Sequence, residues 1–298
     1  MTNPSMNITD VCGGLRQLHG GFQSAAFGEF EIRTAFQPIY TLEQGLSRLY
    51  GVEALARPLQ NGRPVQPVDF FRSLDPATAF EADWVCMAVH LVNAAAWDMP
   101  SARLFINLNP TVCHLMVQSE ELFDEFASMA RRLGVNPELI VCEITESRSG
   151  SDEALAVLGR KLRSLGFSIA IDRFGPTNSN LVRLIELEPS IVKIDPVWFK
   201  HMLTRPHQHE LAHKLMHRLN DIGAEVLIQG VETADEYRWA RSCPAAYIQG
   251  HLFGPATHFY DLPSPVDNLS TDHPFDTCLL YTSPSPRDQR GSRMPSSA

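Results

Sequence analysis

The sequence predicts an α/β fold arranged as a TIM-like (β/α)8 barrel. Two observations predict it: short apolar segments alternate along the chain with longer amphipathic ones, and several amphipathic segments are followed directly by glycine. This is the pattern of repeated strand–helix units. With 298 residues, of which 44% are hydrophobic, the chain can bury one core of barrel size. A doubly wound sheet has much the same periodicity and is the alternative architecture.

Eight short apolar segments are the candidate strands of this barrel. They are Ala35–Tyr40, Tyr50–Ala56, Leu104–Leu108, Leu139–Ile144, Ser168–Asp172, Ile191–Ile194, Glu225–Gln229 and Ala245–Gln249.

Five amphipathic segments between these strands are the candidate helices, because their apolar residues recur every three or four positions. They are Ala82–Trp97, Ser119–Leu133, Asp152–Leu165, His207–Ile222 and Ala234–Arg241. Gly134, Gly166 and Gly223 each follow one of them, at the position where a left-handed helix cap favours glycine.

The two ends of the chain differ in composition from the rest. Residues 1–30 are polar and glycine-rich, and we predict a poorly structured N-terminal extension. The folded domain is predicted to cover residues 31–262. Residues 263–298 are rich in Ser, Pro, Asp and Thr, which predicts a disordered tail, and the final segment 279–298 is predicted to be non-native.

Charge and cysteine usage narrow the class of protein. The net charge of -9 argues against binding of duplex nucleic acid, which requires clustered cations along the phosphates. The six cysteines are scattered without a Cys-x-x-Cys pair, as expected of reduced core residues in the cytoplasm. Long apolar runs and an N-terminal apolar signal region are both missing from the sequence, so no membrane contact is expected.

Polar residues at the carboxyl ends of the candidate strands are the candidate functional residues, because barrels carry their catalytic groups at these ends. They are Glu53, Asn107, Glu143, Asp172, Lys193, Gln229 and Gln249. Four of them offer the oxygen ligands that Mg²⁺ and Mn²⁺ prefer, namely Glu53, Asn107, Glu143 and Asp172. This set predicts a site for one divalent cation. Two-metal hydrolysis of a phosphodiester needs a second ion close by.

A set of short motifs resembles the EAL domain family, and the motifs occur in the order in which that family has them. They are FQP at 36–38, GVEALAR at 51–57, FINLNP at 105–110, CEITES at 142–147, IDRFG at 171–175, VKID at 192–195, QGVET at 229–233 and QGHLFGP at 249–255. The resemblance implies a barrel whose first strand is antiparallel. It also implies hydrolysis of cyclic-di-GMP to linear pGpG with Mg²⁺ or Mn²⁺.

The resemblance also implies roles for individual residues. Glu53, Asn107, Glu143 and Asp172 match the ligands of the first metal. Lys193 matches the lysine that holds the attacking water, and Glu146 matches the glutamate that braces the loop after the fifth strand. Further positions match residues that line the dinucleotide or complete the site: Gln37, Leu55, Arg57, Glu232, Gln249 and Pro255.

Two departures from the family's pattern remove ligands of the second metal. Arg173 stands where the family has the second of two aspartates, and Gln229 stands where it has a glutamate. A guanidinium stays protonated and repels a divalent cation. We therefore expect at most one ion. Arg173 either occupies the second-metal position and meets a phosphate, or pairs with Asp172 or Glu146 and closes the site.

The loop after Gly175 departs as well, because Pro176 and Thr177 replace the flexible sequence that is usual there. Since this loop contributes to dimer contacts in the family, dimerisation of this chain is left open.

A competing motif is HExxH at 209–213, which in zinc hydrolases places two histidines one helical turn apart. We predict that Leu211, Leu215, Leu219 and Ile222 form the buried stripe of this helix, so that the histidines face solvent. A zinc hydrolase is therefore the remote alternative.

Two functional hypotheses follow. The first is a noncatalytic regulator that binds cyclic-di-GMP or a regulatory protein partner. The second is a phosphodiesterase with low or single-metal activity.

Overall fold

The structure, a computed structural model, describes residues 14–18, 21–42, 46–97, 101–145, 152–175, 181–257 and 269–270. The strands in this part of the chain are β1 Leu15–Gln17, β2 Gln23–Phe27, β3 Phe30–Thr41, β4 Leu46–Ser47, β5 Leu49–Gln60, β6 Arg63–Pro64, β7 Arg103–Leu108, β8 Ile140–Thr145, β9 Ser168–Phe174, β10 Ile191–Ile194, β11 Glu225–Ile228, β12 Tyr247–Ile248 and β13 Leu269–Ser270.

The α-helices in the same ranges are α1 Pro67–Arg72, α2 Pro76–Ala95, α3 Pro110–Gln118, α4 Glu120–Arg132, α5 Asp152–Ser164, α6 Leu181–Leu187, α7 Pro196–Leu203, α8 His209–Asp221 and α9 Ala234–Ser242. Two 3-10 turns, Pro137–Leu139 and Pro206–Gln208, precede β8 and α8.

Eight of these strands close into a barrel, which confirms the predicted fold class. Their order is β3-β5-β7-β8-β9-β10-β11-β12, and β12 returns to β3. Strand β3 is antiparallel to both of its neighbours, with Gln37 opposite Glu53 on β5 and Tyr247 opposite Thr41 on β3. The pairs from β5 through β12 are all parallel. The barrel is therefore of the predicted kind, with an antiparallel first strand.

The sheet begins at Leu15, whereas the sequence analysis placed the start of the folded domain at residue 31. Residues 15–17 and 23–27, assigned there to a poorly structured extension, form β1 and β2, and β2 pairs with β3. Phe22 and Ala25 are buried in the core. The buried Asn93 of α2 accepts from the backbone N–H of Gln23 at 2.8 Å and donates to its carbonyl at 2.9 Å. Contacts made by a distant helix therefore order a segment whose own composition is polar.

The predicted tail lies almost wholly outside the described residues. Its described part is β13, which pairs antiparallel with β4. The predictions for residues 258–268 and 271–298 are not addressed by the structure, and neither are Glu146 and the loop at 176–180.

A layer of apolar side chains fills the inside of the barrel. Its members are Ile39, Phe105, Val141, Ala170, Ile191, Leu227 and Tyr247, all 7% exposed or less. A second, larger cluster packs the outside of the strands against the helices. Each large apolar side chain that is fully buried stabilises the fold by roughly 1.5–3 kcal/mol relative to the same side chain exposed to water. The interior is thus a packed plug, and a ligand can reach only the ends of the barrel.

Gly134, Gly166 and Gly223 have φ angles of 85°, 97° and 89°, as the predicted helix caps require. Four helices were not predicted, namely α1, α3, α6 and α7. Helix α7 carries a readable start signal: Asp195 accepts from the backbone N–H of Trp198 at 2.9 Å, and Pro196 is the first helical residue.

The predicted face of α8 is wrong in part. The buried residues of this helix are Ala212, Met216 and Leu219, whereas Leu211 is 67% exposed and Ile222 is 56% exposed. Helix α8 packs against strand β11 and helix α7, and Ala212, Met216 and Leu219 are its buried residues.

Candidate functional site

A polar layer lies directly above the apolar plug, at the carboxyl ends of the parallel strands. On the parallel strands from β7 to β12, the residue two positions beyond the plug residue points to the same side, because side chains alternate along a strand. On antiparallel β3 it is the residue two positions before Ile39 that does so. The register places Asn107 opposite Glu143, and Gln37 opposite Glu53. The layer so formed consists of Gln37, Glu53, Asn107, Glu143, Asp172, Lys193, Gln229 and Gln249. The strand-end residues predicted from the sequence are therefore brought together.

Lys193 is the centre of this layer and is fully buried. Its ammonium Nζ lies 2.9 Å from Glu53 Oε2 and 2.5 Å from Glu143 Oε1. Burial by itself would lower the pKa of Lys193, but the carboxylates of Glu143, Glu53 and Asp172 outweigh it and raise the pKa. The lysine therefore carries a full positive charge inside the barrel.

Glu53 is held by three donors. Burial would raise its pKa, but the charge of Lys193 and hydrogen bonds from Gln249, Lys193 and Asn107 outweigh burial and lower it. The amides of Gln249 and Asn107 donate to its two oxygens at 2.9 and 3.2 Å. Glu53 is therefore an oriented, ionised carboxylate.

The pKa of Glu143 is shifted in the opposite direction from that of Glu53. Burial is the largest cause that raises its pKa well above the usual range, the nearby charges of Glu53 and Asp172 add to it, and Lys193 opposes them. Its Oε2 is buried and has no hydrogen-bond partner among the described residues, and the same holds for Gln249 Oε1 in the same layer. Such unpaired buried acceptors are costly, and a bound cation or donor would satisfy them.

Asp172 is engaged by the two residues that depart from the family's pattern. The amide of Gln229 donates to Asp172 Oδ1 at 3.0 Å. Arg173 Nε lies 3.6 Å from Asp172 Oδ2, and its side chain is 69% exposed. Both oxygens of Asp172 thus face a positively polarised group. The sequence analysis left two alternatives for Arg173. The structure contains the contact with Asp172, and the rest of the guanidinium is exposed to solvent.

The metal ions that the family resemblance implies would need several oxygen ligands that converge on one point. In the described ranges, no three His, Cys, Asp or Glu side chains converge closely enough to hold a metal. Lys193 lies between two of the predicted carboxylate ligands, Glu53 and Glu143. The amide of Gln229 donates a hydrogen bond to the third, Asp172. The unpaired Oε2 of Glu143 is an oxygen of the kind that a divalent cation prefers.

The residues matched to the dinucleotide lie along β3, β5 and the last loop. Glu53, Leu55 and Arg57 alternate along one face of β5, and Gln37 lies opposite Glu53. Arg57 is half-buried; burial lowers its pKa and the charge of Glu53 opposes that effect. Pro255 is exposed, two residues before Thr257, whose backbone pairs with Phe36. These side chains extend the polar layer toward solvent.

Glu232 is not brought into the layer. It is about half exposed, and its Oε2 accepts from Lys200 on α7 at 2.7 Å. Its backbone N–H donates to Glu236, which closes a capping box with Thr233 at the start of α9. Glu232 therefore contacts a helix at the rim, and a direct catalytic role predicted for it finds no geometric support. Glu146 lies outside the described residues.

One acidic residue with a buried oxygen, which sequence reasoning missed, lies on helix α2. The Oδ2 of Asp83 on α2 is buried and has no hydrogen-bond partner among the described residues, and burial raises the pKa of this carboxyl to about 8. The available signal was Asp83 within the largely apolar run AFEADWVCMAV, whose other carboxylate is Glu81.

The HExxH residues make packing contacts rather than a metal site. His209 lies 3.1 Å from the carbonyl of Met202, and Glu210 pairs with Lys214. His213 Nε2 lies 3.7 Å from the buried Cys243 Sγ. The prediction that these histidines face solvent is wrong for His209 and His213, which pack against α9. The buried cysteines that the structure describes are free thiols, namely Cys86, Cys113, Cys142 and Cys243.

Within the described residues, every helix is too short or too polar to cross a membrane.

Comparisons with known proteins agree with this architecture. The model of the EAL domain matches residues 23–256. The probable cyclic di-GMP phosphodiesterase PdeB of Escherichia coli (strain K12) is 28% identical over 234 residues, which cover 76% of this chain and 43% of PdeB. An uncharacterized signaling protein of Caulobacter vibrioides is 29% identical over 80% of this chain and 28% of its own length. The chain thus spans less than half of each of these relatives.

Solved structures show the same fold. A standalone versatile EAL protein from Vibrio cholerae O395, in its c-di-GMP bound form, has a TM-score of 0.69 and 25% identity, covering 79% of this chain and 96% of the other. The FimX EAL domain from Pseudomonas aeruginosa, bound to c-di-GMP, has a TM-score of 0.65 and 24% identity, covering 76% and 91%. With a closed barrel, its polar layer and a matching family model over most of its length, the chain belongs to the EAL domain family.

Proposed function

We propose that the chain is a noncatalytic EAL module of the bacterial cytoplasm that binds cyclic-di-GMP, holds at most one Mg²⁺ or Mn²⁺ ion, and acts by ligand binding or through a regulatory protein partner. The observation that carries the proposal is the state of Asp172, whose two oxygens face Gln229 and Arg173. In two-metal hydrolysis the paired ions supply an activated water and stabilise the leaving oxygen.

Residues at the rim of the layer have binding roles in this proposal. Gln37, Leu55, Arg57 and Pro255 line one side of the dinucleotide. Arg57 and the exposed guanidinium of Arg173 offer cationic donors to its phosphates, and arginine is suited to such contacts because its donors match phosphate geometry. The positive charge of Arg173 then compensates the anionic ligand where a second ion would otherwise do so.

The loss of hydrolysis follows from charge. Replacing aspartate by arginine and glutamate by glutamine changes the charge around the second-metal position by three units toward positive. The remaining carboxylate, Asp172, accepts a hydrogen bond from the amide of Gln229 and forms an ion pair with the guanidinium of Arg173. The chain therefore keeps groups that bind an anion and lacks those that activate water for attack.

A second candidate is a weak phosphodiesterase with one ion. It is favoured by the ion pairs that join Glu53, Lys193 and Glu143, because an oriented lysine at this position could hold an attacking water.

Calorimetry with cyclic-di-GMP, with and without Mg²⁺, separates these candidates when the same samples are then chromatographed for pGpG. We expect binding without product. Absence of binding under both conditions contradicts the proposal, and steady formation of pGpG favours the second candidate.

Restoring the two carboxylates tests the reason for inactivity. The Arg173→Asp and Gln229→Glu double variant is expected to gain Mg²⁺-dependent hydrolysis. Arg173 has a φ of 58°, a conformation in which aspartate is more common than arginine, so the backbone accepts this change. The Gln229→Glu single variant is the matched control, because it restores one ligand and leaves the guanidinium in place.

A further inference from the structure

The first turn of α7 begins between the ends of two barrel strands that both approach Asp172. Helix α7 follows β10, and β10 pairs with β9 on one side and with β11 on the other. Arg173 lies at the end of β9, and Gln229 follows β11 directly. These are the two residues that contact the carboxylate of Asp172. The start of α7 is therefore placed where it can contact the backbone next to each of them.

On the side of β9, this turn contacts the residues that follow Arg173. The backbone N–H of Asp195 donates to the carbonyl of Phe174 at 2.9 Å. A Cβ added to Gly175 would lie 3.5 Å from the Cβ atoms of both Asp195 and Trp198, which is ordinary contact distance, so the backbone of Gly175 packs against the turn. The backbone that directs the guanidinium of Arg173 is therefore fastened to α7 on its carboxyl side.

On the side of β11, the same turn contacts the residue that follows Gln229. Gly230 has a φ of 76°, and a Cβ added to it would lie 2.5 Å from the Cβ of Pro196, so the two backbones approach too closely for a larger residue. One helical turn further along α7, the ammonium of Lys200 donates to Glu232 at 2.7 Å. Helix α7 thus holds the segment after Gln229 at two points.

The side chain of Asp195 fixes the turn itself. It accepts a hydrogen bond from the backbone N–H of Trp198 at 2.9 Å, and Pro196 is the first helical residue. Both features define the start of a helix locally. Val197, between the two contact residues, is 76% exposed, so its side chain points to solvent. The turn therefore has a face that contacts both strand ends and a separate face that contacts neither.

We infer that the first turn of α7, fixed by Asp195, is a shared support that positions Arg173 and Gln229 on the two sides of Asp172. Asp195 is a positioning residue in this inference, because its carboxylate caps the turn and acts on the ligand only through the two strand ends. The inference rests on the proposed function for its ligand, cyclic-di-GMP. A cationic group that is held in its binding position beforehand binds more tightly, because less ordering is needed when the ligand arrives.

Two variants of Asp195 and two controls test the inference. Asp195→Ala removes the cap, whereas Asp195→Asn keeps a side chain that caps helices equally well. Asp75→Ala is the matched control, because Asp75 caps α2 in the same way, accepting from the N–H groups of Ala77 and Thr78 at 3.0 and 3.3 Å. Val197→Ala is the control on the exposed face of the same turn. Thermal unfolding of each variant measures the general loss of stability, which should be similar for the two cap deletions.

Amide hydrogen exchange, measured by mass spectrometry without nucleotide, reports local opening of the two strand ends. In Asp195→Ala we expect faster exchange in both of the peptides 170–175 and 229–233. Exchange in these peptides should be that of the wild type in Asp195→Asn, Asp75→Ala and Val197→Ala. Faster exchange in both peptides at once is the signature of a shared support, since the peptides belong to different strands.

Calorimetry then measures the affinity for cyclic-di-GMP. Asp195→Ala should bind about three- to tenfold more weakly, because it loosens the guanidinium contact that Arg173→Ala deletes. Asp195→Asn and both controls should bind as the wild type does. Adding Asp195→Ala to Arg173→Ala should cause no further loss of affinity, because the cap acts on the ligand through Arg173.

Faster exchange in only one peptide or in neither overturns the inference, and so do equal effects of Asp195→Ala and Asp75→Ala. Wild-type affinity in Asp195→Ala, or a full further loss in the double variant, overturns it as well. If Asp195→Ala fails to fold, Gly230→Ala strains the same turn from the side of β11, and faster exchange in peptide 170–175 is then the expected result, whereas unchanged exchange there refutes the shared support. Failure of the proposed function is a separate result: the wild type would not bind cyclic-di-GMP, and the exchange comparison would still decide the inference.

Discussion

Replacing Lys193 by methionine removes the ammonium group that lies between Glu53 and Glu143. The lysine is fully buried, and its Nζ is 2.9 and 2.5 Å from the two carboxylates. Removing one partner of a buried ion pair leaves an uncompensated charge and typically costs about 3–5 kcal/mol. We therefore expect the free energy of unfolding of Lys193→Met to fall by about that amount, a large part of the roughly 5–15 kcal/mol of a typical domain.

The assay is urea unfolding followed by tryptophan fluorescence at pH 7. Lys200→Met is the matched control, because Lys200 also pairs with a glutamate, at 2.7 Å, but both side chains are more than a third exposed. An exposed pair of this kind contributes only about 0–1 kcal/mol. Adding Glu53→Gln to Lys193→Met should recover part of the loss, since it removes the ionised carboxylate that the lysine had compensated.

Equal losses in Lys193→Met and Lys200→Met would refute this reasoning. So would a double variant no more stable than Lys193→Met, because the cost would then come from lost packing and not from unpaired charge.

Three further predictions concern the stability of the fold at low pH, a sterically crowded glycine, and ligand binding at the site. His90 is buried, and its pKa is lowered to about 3 by burial and by the charge of Arg57. Because the folded pKa lies below the unfolded value of about 6.5, its contribution is present above pH 6.5 and is lost as the pH falls toward 3, by about 2 kcal/mol between pH 7 and pH 5. His90→Gln should flatten this part of the stability profile in urea titrations, and an unchanged profile would contradict it. Gly230 has a φ of 76°, and an added Cβ would lie 2.5 Å from Pro196 Cβ, so Gly230→Ala should lower stability by more than about 1 kcal/mol in the same assay. Arg173→Ala should weaken cyclic-di-GMP binding by about tenfold in calorimetry, because it removes a charge-assisted contact, and an unchanged affinity would exclude a phosphate contact.

The barrel could be predicted because its signals are local. Each strand is a short apolar run, and Gly134, Gly166 and Gly223 mark helix ends by their own chemistry. The short helices were missed because six to nine residues hold too little periodicity to be recognised. The face of α8 was misjudged because Leu211 is apolar but meets no partner on the folded surface.

The polar layer was predictable for a geometric reason: strand ends meet at one edge of a barrel, so Glu53, Asn107 and Glu143 had to converge. The contacts within it were not. That Lys193 lies between two glutamates, or that Gln229 donates to Asp172, depends on register across strands distant in sequence. Glu232 shows the limit of motif matching, because its side chain turns to Lys200 at the rim.

The most direct test of the central claim is calorimetry of the wild-type chain with cyclic-di-GMP and Mg²⁺, followed by chromatography of the recovered sample. The proposed function predicts a saturable binding isotherm and unchanged dinucleotide. Recovery of pGpG at the rate of an intact EAL phosphodiesterase would contradict it, because Arg173 and Gln229 would then have failed to exclude the second ion.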